Sequence, residues 1–169
     1  MNSDTLQDIL EEALPEGVFQ GVFPSNQLPL DRCPRPSAYM VNFDPHYMPG
    51  SHWVALYLDR ASRGYYFCSQ ASEPTTCPEI YEFLISKTDL VLNWSQFCIQ
   101  GPGSLTCGQY ATFFLYHITR GVAFHDILGT FSAKNRSLND CHIAEWLRRK
   151  FRVSSNCHED AQSCVAYKL

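Results

Sequence analysis

Gln100-Gly101-Pro102-Gly103-Ser104-Leu105-Thr106-Cys107-Gly108 runs directly into Gln109-Tyr110-Ala111-Thr112-Phe113-Phe114-Leu115-Tyr116-His117-Ile118. A proline between two glycines marks a tight turn, and Thr106 is a candidate helix N-cap. Ala111, Phe114, Leu115 and Ile118 then recur at helical spacing. The stretch predicts a loop that delivers Cys107 onto the first turn of a buried helix, which stops near Gly121. The positive end of a helix dipole favours a thiolate, the reactive form of cysteine. Gln100 brings a side-chain amide donor to the same approach. A buried structural cysteine after a Gly-Pro loop would read the same way, so this stretch alone leaves both readings open.

Upstream lies Gly50-Ser51-His52-Trp53-Val54-Ala55-Leu56-Tyr57-Leu58-Asp59. Turn residues lead into an apolar run that predicts a buried strand, with His52 at its mouth. A thiol nucleophile needs an imidazole to take its proton and later return it to a leaving amine. Such partners meet in the fold and not along the chain. Taken with the Gln100…Cys107 element, His52 reads as a catalytic base. Trp53 reads as core or as a wall of a substrate groove, and Asp59 as a strand end facing a turn.

At these residues the chain resembles the adenovirus-type cysteine peptidase family, adenain, and its relatives carried by large DNA transposons and adintovirus-like elements. The shared pattern is His52-Trp53 at a strand start, Tyr66-Phe67 in the next strand, and Gln100-Gly101-Pro102…Cys107-Gly108. Gln100 and Cys107 stand seven residues apart, the spacing of adenain; in the related SUMO-specific proteases the glutamine is one residue closer. Phe19 to Pro29 and Phe131 to Phe151 extend the resemblance over most of the chain. It implies His52 as base, Cys107 as nucleophile and Gln100 as oxyanion donor, acting on polypeptides. By the same analogy the substrates are capsid or core precursors cut at small, Gly-containing sites. Two rivals stay open: a ubiquitin-like-protein isopeptidase of the same clan, and a non-catalytic pseudoprotease that only binds.

One position departs from the family. Where an Asp or Glu follows the Tyr-Phe strand, this chain has Cys68 in Tyr65-Tyr66-Phe67-Cys68-Ser69-Gln70. A carboxylate there would orient the imidazole and stabilise its charged form, whereas a thiol does neither well. Decay of a transposon copy, an engineered change, or a dyad helped by Ser69, Gln70 or Asp59 would each account for it. The expectation is peptidase activity that is retained and weakened.

Composition sets further bounds. At 169 residues, 45% hydrophobic and 14% aromatic, the chain fits one compact domain over residues 1–151, with 152–169 as a C-terminal tail. No apolar run reaches the length of a membrane span, and the polar Met1-Asn2-Ser3-Asp4 start lacks the form of a signal peptide. Eight cysteines without such a signal predict an intracellular, reducing setting, in the host nucleus or cytoplasm, with packaging into a virus particle compatible with the resemblance. A net charge of −4 argues against strong DNA binding, and the Arg148-Arg149-Lys150 cluster reads as cations at a helix C-terminus. Cys157-His158…Cys164 has no common zinc-site spacing, so no metal is expected. No cofactor is expected either: the cysteine that tethers an activating peptide in adenovirus has no counterpart near Asp89-Leu90. The expected particle is a monomer.

Along the chain, Leu6, Ile9, Leu10 and Ala13 predict a helix over 5–14 capped by Asp4, then an irregular surface segment to Pro36. Strands follow at 38–43, at the His52 run and at 65–68, the last two as a hairpin. A helix opens at Pro78, a strand spans Trp94 to Ile99, and after the Cys107 helix a loop leads to a helix over 139–151. His46, His125 and His142 are placed in loops or near caps, and His117 lies too far along its helix to serve Cys107. The order predicts an α+β domain in which a small, mostly antiparallel sheet packs on the central helix.

Overall fold

The computed structural model describes residues 1–31, 33–89 and 92–151, so the expected 152–169 tail and its Cys157-His158…Cys164 group lie outside the described residues. The elements in order are α1 (Ser3–Ala13), β1 (Phe19–Pro24), β2 (Ser37–Asn42), β3 (Trp53–Leu58), β4 (Gly64–Phe67), α2 (Pro78–Lys87), β5 (Leu92–Trp94), α3 (Cys107–Ile118), α4 (Phe124–Gly129) and α5 (Arg136–Phe151). Short 3-10 turns sit at Ser25–Gln27 and Pro74–Thr76. The α+β class holds.

The five strands lie in sequence order, antiparallel at the centre (β2–β3 and β3–β4) and parallel at both edges (β1–β2 and β4–β5). Alternation along the strands divides the side chains between two faces. Ala38, Met40, Ala55 and Phe67 join the core beneath α1, α3 and α5, while Tyr39, Val41, Val54, Leu56, Leu58 and Tyr66 pack with α2. Alanines at 38 and 55 leave room for a helix to come close. Phe114 uses that room to stack on Phe67, with ring centroids 4.8 Å apart and planes 4° from parallel. Nine of the residues of α3 are buried, among them Gly108, Tyr110, Ala111, Phe113 and Leu115, so it is the central helix, enclosed on all sides.

Several details differ from the sequence reading. The cap of α1 is Asn2, not Asp4: its side chain accepts the Thr5 N–H at 2.9 Å, and Asp4 sits in the first turn. The segment expected to be irregular as far as Pro36 contains β1. Its parallel pairing shifts register at Gly21, where φ is +132°, and the Gln7 side chain takes the Val22 N–H at 3.0 Å. The strand expected over 94–99 is Leu92–Trp94 and ends where the other was to begin. Beyond Trp94 the chain bonds elsewhere: the Ser95 hydroxyl engages Cys68, and the Ile99 and Gln100 N–H groups both donate to the Ser69 carbonyl, at 2.9 and 3.1 Å. The expected loop before α5 holds α4. His125, the second residue of α4, lies near its N-cap as expected, while His142 lies within α5 against Phe131. Among the described residues no helix is long and apolar enough to cross a membrane.

Candidate active site

The site lies at one end of the sheet, where β3 starts beside the end of β4. His52 immediately precedes β3 and is held by the loop before it. The Asn42 side-chain oxygen accepts N–H groups from Asp44 at 3.0 Å and Ser51 at 3.3 Å, which cinches both ends of that loop. Gly50 makes the turn with φ at +90°, a conformation that side-chain-bearing residues rarely adopt. The Phe43 N–H donates to the His52 carbonyl at 2.9 Å, and the Phe43 ring meets the imidazole edge-on.

His52 is 6% exposed. Its Nε2 lies 3.2 Å from the Cys68 Sγ, so the residue in the family's acid position does reach the imidazole. Its Nδ1 is buried and makes no hydrogen bond within the protein. Burial pushes the imidazole down to about 4, with no carboxylate to oppose it. Burial likewise pushes the Cys68 thiol up, so at neutral pH it is an uncharged partner. The Cys68 backbone is clamped on both sides by Ser95, whose hydroxyl accepts from the Cys68 N–H at 3.0 Å and donates to its carbonyl at 2.8 Å.

The candidates for replacing the missing acid are committed elsewhere. Asp59 accepts the Ala61 and Arg63 N–H groups at 2.8 and 2.9 Å and pairs with the Arg63 guanidinium at 2.6 Å, closing its own turn. The Ser69 hydroxyl donates to Gln100 Oε1 at 2.6 Å, and Gln70 is exposed. Sequence reasoning placed Ser69 near His52; the structure makes it the anchor of Gln100.

That anchor fixes which way the buried Gln100 amide points. With Oε1 bound to Ser69, Nε2 faces the loop and donates to the Ser104 carbonyl at 2.5 Å, which leaves its second N–H uncommitted. The loop then enters α3 at Cys107, its first residue, a half-buried free thiol. Thr106 occupies the N-cap position, but its side chain makes no capping bond and turns to Asp140 instead. The Cys107 N–H belongs to the group of helix-opening donors that have no intrahelical acceptor. Gly108 lies against Trp53: a Cβ there would come within 3.4 Å of the Trp53 ring and of Leu6. The head of α3 therefore rests on the residue that follows His52. His117 is remote, packed among Phe113, Tyr116 and Trp146. Cys33, Cys68, Cys77, Cys98 and Cys107 are free thiols.

Burial of an imidazole that stays neutral has a consequence for stability. The unfolded chain binds a proton on His52 at ~6.5, the native chain only at about 4. Because the folded value is depressed, stability is complete above pH 6.5 and drains away as pH falls toward 4. At ~1.4 kcal/mol per pH unit the loss is about 3 kcal/mol. Urea unfolding at pH 7, 5.5 and 4 should show this loss, and His52→Phe should flatten it. Equal pH slopes in the two proteins would exclude His52 as its source.

No protein-family model matches the chain. Over 112 residues, 62% of its length, it is 30% identical to the "Putative thiol protease R355" of Acanthamoeba polyphaga mimivirus, of which the match covers 36%. The chain thus spans about a third of the length of that curated relative. Among solved structures, the central domain of the uncharacterized Lpg1148 protein from Legionella pneumophila superposes with a TM-score of 0.52, over 90% of this chain and 97% of that one, at 12% identity. The ASFV pS273R protease aligns with 62% of this chain and 42% of its own, at 20% identity and a TM-score of 0.42. The chain is thus similar in sequence to a viral protein named as a thiol protease, and it shares the fold of a bacterial protein's central domain.

Proposed function

We propose that residues 1–151 form one cysteine endopeptidase domain, with His52, Cys107 and Gln100 as its catalytic residues. The observation that carries the reading is the His52 ring: buried at the sheet end, 3.2 Å at Nε2 from the residue in the acid position, and left with a buried Nδ1 that no other group engages. Nδ1 takes the Cys107 proton, and the thiolate attacks the peptide carbonyl. The second Gln100 N–H and the Cys107 backbone N–H hold the tetrahedral oxyanion. Collapse breaks the C–N bond, the imidazolium protonates the leaving amine, and water hydrolyses the thioester. Capsid or core precursors with Gly-containing sites, as the adenain resemblance implies, are the substrates we favour, since glycine lets an extended backbone enter a narrow groove. The likeness to a viral thiol protease supports this assignment.

A peptide carrying an electrophile in place of its scissile bond tests it. The expected result is stoichiometric labelling of Cys107, with Cys68 and Cys98 unmodified, and loss of that labelling in His52→Ala. Labelling indifferent to His52 would reduce the protein to a binder. Labelling by ubiquitin-family probes in preference to short Gly-containing peptides would assign it to the isopeptidases.

A further inference from the structure

The loop between Gln100 and Cys107 is held by one carboxylate from another part of the chain. Asp140, in the second turn of α5, accepts the Gly101 N–H at 3.0 Å on Oδ2 and 3.2 Å on Oδ1. Its Oδ1 also accepts the Thr106 hydroxyl at 3.1 Å and the Tyr110 hydroxyl at 2.9 Å. These donors stand immediately after Gln100, immediately before Cys107, and one turn into α3. Both ends of the loop and the helix it feeds are thus riveted to the same group. The preceding residue extends the grip: Asn139 Nδ2 donates to the Ile99 carbonyl at 2.9 Å. Residue 101 must be glycine for this to work, because a Cβ there would lie 2.3 Å from Asp140 Oδ2 and drive the carboxylate off the amide.

We propose that Asp140 is a positioning residue for the reaction centre. It touches no reacting atom. It sets the separation between the Gln100 side-chain amide and the Cys107 backbone N–H, the two donors to the oxyanion, and so rests on the reading of those residues given above. Charge-assisted bonds to a carboxylate are short and strong, which suits a loop whose own Gly-Pro-Gly sequence gives it little stiffness. A displacement near 1 Å is enough to lose ~10²-fold in rate.

Two reactions of the same sulfur separate positioning from mere folding. Alkylation of Cys107 by iodoacetamide needs the nucleophile but no oxyanion site; acylation by a Gly-containing peptide ester needs both. In Asp140→Asn, which keeps the shape but replaces one acceptor oxygen by a donor, kcat for the ester should fall ~10- to 100-fold while KM and the alkylation rate stay within ~2-fold. Gly101→Ala should give the same split with the Asp140 side chain still present, and this covers the case in which Asp140→Asn does not fold. The double variant Gly101→Ala, Asp140→Ala should be no slower than Asp140→Ala alone, because both changes break one contact. Acylation and alkylation falling by the same factor, a loss confined to KM, or additive effects in the double variant would each overturn the positioning role. A wild-type protein that is alkylated but never acylated would instead refute the peptidase reading itself, and the inference with it.

Discussion

Replacing Cys68 by aspartate should raise peptidase turnover by on the order of 10²-fold and move the acid limb of its pH profile upward. The reason lies in the 3.2 Å contact between Cys68 Sγ and His52 Nε2. An ionised carboxylate can only accept, so it would keep the ring proton on Nε2 and leave the Nδ1 lone pair free as the base. A neutral thiol can act either way. When its S–H donates to Nε2, the ring proton moves to Nδ1, which can then no longer take one from Cys107. The thiol also offers no charge against the burial that holds His52 near 4. A carboxylate would raise that value by stabilising the imidazolium, so the acid limb of kcat/KM moves from about pH 4 toward the ordinary histidine range. Cys68→Asn separates the two effects. Its amide oxygen can fix the tautomer without adding charge, so part of the gain should appear with the acid limb in place. A well-folded Cys68→Asp protein no faster than wild type, measured on one peptide substrate across pH 4–9, would sink the tautomer account.

Larger still is the loss expected from removing the nucleophile or its base. Cys107→Ala and His52→Ala should each lower kcat by on the order of 10⁴-fold or more, and the pair together no further than the worse of the two. Non-additivity is the informative part: groups that act as one unit cannot be lost twice. His52→Ala opens a small hole beside Phe43 but also removes an imidazole that must shed its proton to be buried, so stability at pH 5 should hold or improve while activity disappears. Single-turnover kinetics on a peptide substrate, with thermal melts alongside, would measure both. Independent, multiplying losses would mean that the imidazole and the sulfur do not work on the same proton.

The features legible in the sequence are those with strong local periodicity or local turn chemistry. The apolar spacing after Thr106 was enough for α3, and the Gly50-to-Asp59 run for β3, because both elements are buried and their neighbours in sequence share the environment. β1 was not legible: it lies at the sheet edge, carries Gly21 and Pro24, and owes its pairing to Ala38–Asn42 rather than to any alternation of its own. α4 spans six residues, too short for a helical period to emerge. At the site, the Cys68 contact with His52 was anticipated through family resemblance and not through any local pattern. The anchoring of Gln100 by Ser69 links positions 31 residues apart, and that of Gly101 by Asp140 positions 39 apart. Neither has a signature in a single sequence, since a serine or an aspartate reads as surface until the fold brings it inward.

Nine of the twelve residues of α3 are buried, whereas Cys107, at its opening end, is only half-buried, so the part of the helix that a target can reach includes its sulfur-bearing head. On the peptidase reading proposed above, a target that offers its backbone as a free extended strand should be cut in preference to the same bond held inside a folded globule. Linkers, unravelled tails and segments between domains offer such a strand, whereas peptide bonds inside regular structure do not, whatever residues flank them.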